Sequence, residues 1–279
     1  MRLMSFTHRG EARFGAVEGD EVLDLTTALG AGLPTLLSVL QAGAVGKLRA
    51  ALPSADRRHR LADVEWLEPL PQAPRIFCVG ANYPKEHPLG GQVEAPAHPS
   101  IFQKAAEALA PHRGALRMPG VSEQLDYEGE LAVVIGQGGA GIPEAEALAH
   151  VAGYTCMNDG SVREFQKHSV WAGKNFARSG AIGPWIATAD EIGDPSRLTL
   201  ATRLNGEEVQ RSGLDRMFFS VPRILSYLSG ITPLLPGDVV ATGSPEGSGA
   251  QRQPPRWLKP GDNVEVEIEG VGLLSNRVE

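Results

Sequence analysis

The chain has 279 residues, long enough for a sizeable core, and its 26 Lys and Arg against 33 Asp and Glu leave a formal net charge of −7. With no Lys/Arg-rich run, neither a nucleic-acid backbone nor an anionic membrane surface is a suitable partner, so the default ligand is a small molecule. Its 33 Gly and 21 Pro indicate a loop-rich β protein, short of the composition of a disordered chain. Cys78 and Cys156 lie far apart and outside any Cys-x-x-Cys pair, which argues against a disulfide framework and against a thiolate zinc site. No stretch has the apolar length of a signal peptide core or a membrane span, so the expectation is a soluble, cytoplasmic protein.

Residues 2–25 are expected as two short strands around a turn at Glu18, Gly19 and Asp20. Residues 33–52 place Leu36, Leu37, Leu40 and Leu48 at near-helical spacing. Together they predict a small α+β N-terminal domain over 1–72, closed by Pro69, Pro71 and Pro74, which favour an extended connector. A second domain over 73–279 opens with the apolar strand 75–80. Residues 84–99 are rich in Pro and Gly with few large apolar groups, and read as a surface loop able to act as a lid. Strands are then expected at 125–136, 152–158, 183–188, 199–204, 238–242 and 263–269. Short helices are expected near 143–150, 160–168 and 219–229, with a second long loop over 245–261.

In LDYEGELAVVIG, Glu128 and Glu130 are two apart on a strand, so both carboxylates share a face with Ala132 and Val134. On a buried face two ionised carboxylates need a cation or a proton; an exposed acidic strand end is the plain alternative. The strand GYTCMNDGS ends in Asn158 and Asp159 and could add a third carboxylate, a set that suits Mg²⁺ or Mn²⁺ rather than zinc. Asp159 could equally cap a helix starting near Gly160. Gly136, Gly138 and Gly141 follow a strand in the spacing of a dinucleotide-binding turn. The acidic strand before them and Pro143 after them favour a hairpin-like turn instead. Arg163 and Gln166 stand one helical turn apart and could meet one ligand, Arg being well shaped for a carboxylate; a solvated helix face is the alternative. Thr242, Gly243 and Ser244 could hold an anion or simply form a turn.

These segments, with CVGANY (78–83), SIFQK (100–104), WAGKNF (171–176), GAIGPW (180–185), LLPGDVVATGSPEG (234–247) and LKPGD (258–262), resemble the fumarylacetoacetate hydrolase family over residues 75–279. The resemblance implies an α+β fold built on a mixed β-roll, with a small N-terminal domain and assembly as a homodimer. It implies action on C–C bonds of acylpyruvates or related oxo acids with one Mg²⁺ or Mn²⁺, held by Glu128, Glu130 and Asp159. Lys174, Gln166 and Thr242 match substrate-site positions; Arg163 and Tyr83 join them as substrate-binding candidates.

The family also carries a His-x-x-Glu dyad that activates water, and here the pattern departs. Glu86 stands four residues after Asn82, His87 one later, Gly90 where the Glu partner belongs, with Glu94 a stand-in by reach. The expected reaction is hydrolysis of a C–C bond, with His87 as general base on water, Glu86 its rival, and the ion and Lys174 stabilising the enolate. Loss of the dyad would favour a decarboxylase or isomerase of an oxo diacid of the oxaloacetate or 2-hydroxyhepta-2,4-dienedioate type. Readings of a different class are a non-catalytic oxo-acid binder and a dinucleotide-binding protein. On the hydrolase reading, His87→Ala should cut turnover of an acylpyruvate by about 10²- to 10⁴-fold in a steady-state assay while metal affinity stays intact. Wild-type turnover in His87→Ala with loss in Glu86→Ala would move the base to Glu86.

Overall fold

The computed structural model describes residues 1–71, 73–84 and 94–279. Glu86, His87 and most of the expected lid therefore lie outside the described residues.

Three strands rather than two fill the start of the chain: β1 (Arg2–His8), β2 (Glu11–Glu18) and β3 (Glu21–Asp24). The additional turn forms because Arg9 and Gly10 both adopt positive φ, 51° and 81°, the conformation that closes a two-residue hairpin. The leucine pattern of 33–52 is split into α1 (Leu36–Gln41) and α2 (Val45–Ala51), with Gly43 at φ 60° between them. The strands β4 (Arg58–Arg60) and β5 (Glu65–Trp66) follow, then β6 (Ile76–Gly80), β7 (Ser100–Lys104), β8 (Leu109–Ala110), β9 (Leu125–Asp126) and β10 (Gly129–Ile135). The single strand expected over 125–136 is thus interrupted at Tyr127 and Glu128.

Next come β11 (Val151–Asn158), β12 (Ser161–Val162), α3 (Arg163–Gln166), α4 (Val170–Lys174), β13 (Gly180–Thr188) and α5 (Ala189–Ile192). The chain continues with β14 (Thr199–Leu204), β15 (Glu207–Gly213), α6 (Val221–Ile231), β16 (Val239–Ala241), β17 (Asn263–Ile268) and β18 (Gly272–Arg277). Strands β4, β5, β7, β8, β12, β15 and β18 have no counterpart in the sequence reading, and β12 occupies the start of the helix expected over 160–168. EEVQRSG in β15 is a polar strand in which Val209, Gln210 and Ser212 are the buried residues, so its apolar signal is weak.

Among the described residues, twelve strands form one mixed sheet in the order β4-β3-β2-β1-β13-β11-β10-β16-β6-β7, with β5 on β1 and β8 on β13. A four-stranded antiparallel sheet, β15-β14-β17-β18, lies against it. Alternation along β10 serves both sides of the large sheet. Leu131, Val133 and Ile135 join a core with Leu200, Val264, Val266 and Leu274 of the small sheet. Ala132 and Val134 face the opposite way, into a core with Leu3, Phe14, Leu36 and Leu40. The N-terminal segment, set apart from the sequence as 1–72, adds its strands to the same sheet through β1 on β13 and shares that second core.

Strands β10 and β11 run antiparallel, with Gly129 opposite Asn158 and Ile135 opposite Val151. The glycines 136, 138 and 141 therefore lie in the link of an antiparallel pair, not in the parallel crossover of a dinucleotide fold. No helix among the described residues is long and apolar enough to cross a membrane.

One buried imidazole makes this packing sensitive to pH. His112 has its ring edge on Trp66 at 4.5 Å, and its Nδ1 accepts the Ser275 N–H at 3.2 Å. Burial, and then the neighbouring Arg113 cation, push its pKa down to about 4. The unfolded chain therefore binds the proton first, and stability is lost as pH falls from about 6.5 towards 4. Urea unfolding should find the protein about 2 kcal/mol less stable at pH 5 than at pH 7 through this group, and His112→Gln should remove that part of the slope.

Candidate metal and substrate site

The site is assembled where β10 begins and β11 ends. Pairing of Gly129 with Asn158 sets the two strand ends side by side. The Asp159 N–H donates to the Glu128 carbonyl at 2.8 Å, and the Glu128 N–H to Asn158 Oδ1 at 3.0 Å. Gly129 sits beneath the small sheet, where a Cβ would come within 2.1 Å of Thr202 Oγ1; its N–H donates to Gln210 Oε1 at 3.0 Å. These contacts turn Glu128, Glu130 and Asp159 toward one point, with a carboxylate oxygen from each within 4.8 Å of the others, all three residues buried.

Burial, followed by the charges of Asp159 and Glu128, holds the Glu130 carboxyl well above the usual carboxylate range. A cation at the shared point would reverse that penalty. The donors are all oxygens, which fits a hard divalent ion. One Glu130 oxygen is already fixed by the Gly243 N–H at 2.8 Å. Gly243 has φ 97°, and a Cβ there would press within 2.8 Å of Asn82, so this approach requires glycine.

Two buried lysines face the triad. Lys174, at the end of α4, donates through Nζ to Glu128 Oε2 and to Asp159 Oδ2, the latter at 2.7 Å. Burial opposes its charge, yet Asp159 and Glu128 hold the ammonium above the usual lysine range. Lys104, at the end of β7, was not singled out from the sequence. Its Nζ donates to Asp159 Oδ1 at 2.7 Å, to the Gly160 carbonyl at 3.1 Å and to the Lys174 carbonyl. The available signal was strand alternation, which sets Lys104 on the side of Phe102.

Arg163 opens α3 and is itself largely held by the protein. Its Nε donates to Asp126 Oδ2 at 2.8 Å, Nη2 to Glu128 Oε1 at 2.7 Å, and Nη1 to Gln166 Oε1 at 3.0 Å. Asp126, also absent from the sequence candidates, is wholly buried.

Above the triad lies a cavity of about 210 Å³ with Arg163, Gln166 and Lys174 in its wall, closed by Val79, Phe102 and Val170. Ser100 and Ser244 supply hydroxyls there. Thr242 and Tyr83 are not among its lining residues. The Thr242 hydroxyl donates to the Leu131 carbonyl at 3.0 Å, and Tyr83 is packed in the core with its hydroxyl unpaired among the described residues. Ser244, two residues further along the turn after β16, lines the cavity instead, while the Thr242 hydroxyl is taken up by β10. A larger cavity of about 390 Å³ under residues 68–71 and Ala73, walled by Ile76, Val134 and Val239, contains none of the triad. The opposed charges line the smaller one.

Comparison with known proteins agrees with this arrangement. A family model described as "Fumarylacetoacetate (FAA) hydrolase C-terminal" matches residues 75–279. The chain is 36% identical to a mitochondrial oxaloacetate tautomerase of Bos taurus, across 100% of this chain and 91% of that protein. A fumarylacetoacetate hydrolase from Exiguobacterium antarcticum has a similar solved structure, 34% identical with a TM-score of 0.84 over 100% of this chain and 99% of that one. Maleylpyruvate hydrolase from Sphingobium sp. SYK-6, solved in complex with manganese(II) and pyruvate, is 29% identical with a TM-score of 0.82 over 100% and 98% of the two chains.

Calorimetric titration of the metal-stripped protein with Mn²⁺ or Mg²⁺ should show one ion per chain, and Glu130→Ala should abolish that binding. Unchanged affinity in this variant would place the ion elsewhere.

Proposed function

The chain belongs to the fumarylacetoacetate hydrolase family, and we propose that within it this protein is a metal-dependent enol–keto isomerase of a short 2-oxo diacid of the oxaloacetate type. The observation that carries this reading is the Lys174 ammonium, bonded to two of the three clustered carboxylates and exposed to the cavity above them. In the metal-free protein Asp159 and Glu128 hold that group above the usual lysine range, as suits a hydrogen-bond donor. Isomerisation of an enol to its ketone relocates one proton between oxygen and the adjacent carbon and needs no attacking water. A fixed ammonium beside the oxygen stabilises the charge that develops there.

A divalent ion held by Glu128, Glu130 and Asp159 would supply Lewis-acid polarisation of the 2-oxo and carboxylate oxygens. The Mn²⁺ in the maleylpyruvate hydrolase neighbour supports such an ion. Gln166 supplies hydrogen-bonding capacity for the diacid, and the Val79 and Phe102 walls exclude water from the reacting oxygen. His87 and Glu86 keep their candidacy as the base, here acting on the proton of the carbon next to the 2-oxo group.

The full-length likeness to an oxaloacetate tautomerase supports isomerisation over the C–C hydrolysis expected from the sequence. Hydrolysis stands as the second reading, on the likeness to maleylpyruvate hydrolase. A cytosolic homodimer with a small-molecule oxo acid as its ligand belongs to the same proposal.

The test is the ultraviolet decay of enol-oxaloacetate with Mg²⁺ present, with pyruvate measured in parallel. Wild type should accelerate the decay without forming pyruvate, and Lys174→Met should lose about 10²- to 10³-fold of that acceleration. Stoichiometric pyruvate would make the enzyme a decarboxylase. Cleavage of an acylpyruvate with no effect on the enol would restore the hydrolase reading.

A further inference from the structure

Asp126 has no place among the metal or substrate groups above, yet its buried carboxylate is fully used. Oδ1 accepts the N–H of Gly249 at 2.7 Å and of Tyr127 at 2.9 Å; Oδ2 accepts the N–H of Ala250 at 3.1 Å and Arg163 Nε at 2.8 Å. The short β9–β12 ladder, in which Asp126 faces Ser161, sets it beneath the first residue of α3. Gly249 is required at this contact, since a Cβ there would lie 1.9 Å from the Arg256 carbonyl and 2.7 Å from Asp126 Oδ1.

What Asp126 holds is the guanidinium, and what the guanidinium holds is an amide with two possible orientations. Arg163 Nη1 lies 3.0 Å from one terminal atom of Gln166. A guanidinium can only donate, so that atom is the amide oxygen, and the NH₂ is the end Gln166 has left for the cavity it lines. An NH₂ there complements a carboxylate or 2-oxo oxygen, whereas the flipped amide would set a carbonyl against an anion.

We propose that Asp126 is a positioning residue which, acting through Arg163, fixes the Gln166 amide with its NH₂ toward the cavity and so sets the preference of the site for an anionic oxo acid. The ligand class rests on the function proposed above; the relay from Asp126 to Gln166 is a matter of hydrogen-bond polarity. Asp126→Asn keeps the size of the side chain and removes one of the two charges that anchor Arg163, the one at Nε; Glu128 still holds Nη2, but the guanidinium plane is no longer fixed from both sides and the amide is freer to turn.

The experiment is calorimetric binding of oxalate, a planar dicarboxylate that resembles the 2-oxo acid end, to the Mg²⁺-loaded protein, with Mg²⁺ affinity measured separately for each variant. Asp126→Asn should weaken oxalate by about 10-fold or more, the loss of one charge-assisted hydrogen bond. On a Gln166→Ala background the same substitution should add almost nothing, because the group it positions is gone. A loss that is equal in both backgrounds would make Asp126 a staple for residues 249 and 250 and overturn the proposal, as would unchanged oxalate affinity in Asp126→Asn. Arg163→Lys keeps the charge but cannot span Asp126 and Gln166 together; it should reproduce the loss, and wild-type affinity in it would equally overturn the relay. This second variant decides the matter if Asp126→Asn proves unstable by circular dichroism. Wild type that binds oxalate but leaves enol-oxaloacetate unchanged would remove the isomerase reading and leave the relay standing.

Discussion

Crowding of negative charge in a place without water is the constraint on which this structure depends. Glu128, Glu130 and Asp159 share one buried point, and Asp126 lies buried beside them. Left uncompensated, such a group would cost more than the fold can supply. Compensation comes from three cations that reach in from separate parts of the chain: Lys104 from β7, Arg163 from α3 and Lys174 from α4. Four carboxylates against three cations leave the cluster negative, so a divalent ion would make it positive. A positive cluster under a small cavity would suit the dianionic oxo acid proposed above as the substrate.

The backbone arrangement follows from bringing these charges together. Strand β10 buries both faces, one against the small sheet and the other against the N-terminal segment, which is why its residues from Leu131 to Ile135 are uniformly apolar. Polar residues are tolerated only at its start, where the strand emerges beside the end of β11. There the approach of neighbouring elements leaves no room for a Cβ at Gly129 or Gly243, and the amides of these residues bond Gln210 and Glu130. Asn82 serves the same corner: its side chain donates to the carbonyls of Phe219 and Thr242 and accepts the Phe219 N–H, tying the segment that follows β6 to the turn that carries Ser244.

The N-terminal segment contributes a wall rather than a catalytic group among the described residues. Through β1 on β13 it extends the large sheet and covers the face bearing Ala132, Val134 and Met157. Without that cover the strands holding Glu130 and Asp159 would expose an apolar face to water. The described part of this segment, residues 1–71, therefore bears on the site indirectly, by covering the apolar face of β10 and β11.

The sequence alone determined the elements whose apolar period is local and the acids whose spacing is short. The Glu128/Glu130 pair two apart and the Asp159 that ends an apolar strand were legible there, as were the α+β class and strands such as β14 and β17. Each depends only on side chains alternating along one strand. What the sequence did not disclose are relations between distant segments. Lys104 lies 55 residues before Asp159, and Asp126 bonds amides 123 and 124 residues further on. Their roles depend on which strands pair, and no local period encodes that. Thr242 and Ser244 differ for a related reason: the Thr242 hydroxyl is bonded to the carbonyl of Leu131, 111 residues earlier in the chain, and Ser244 lines the cavity. Residue type and spacing settled which charges had to be neutralised; tertiary structure decided which partners neutralise them, because only folding brings a lysine, an arginine and a carboxylate from separate strands within a hydrogen bond's length.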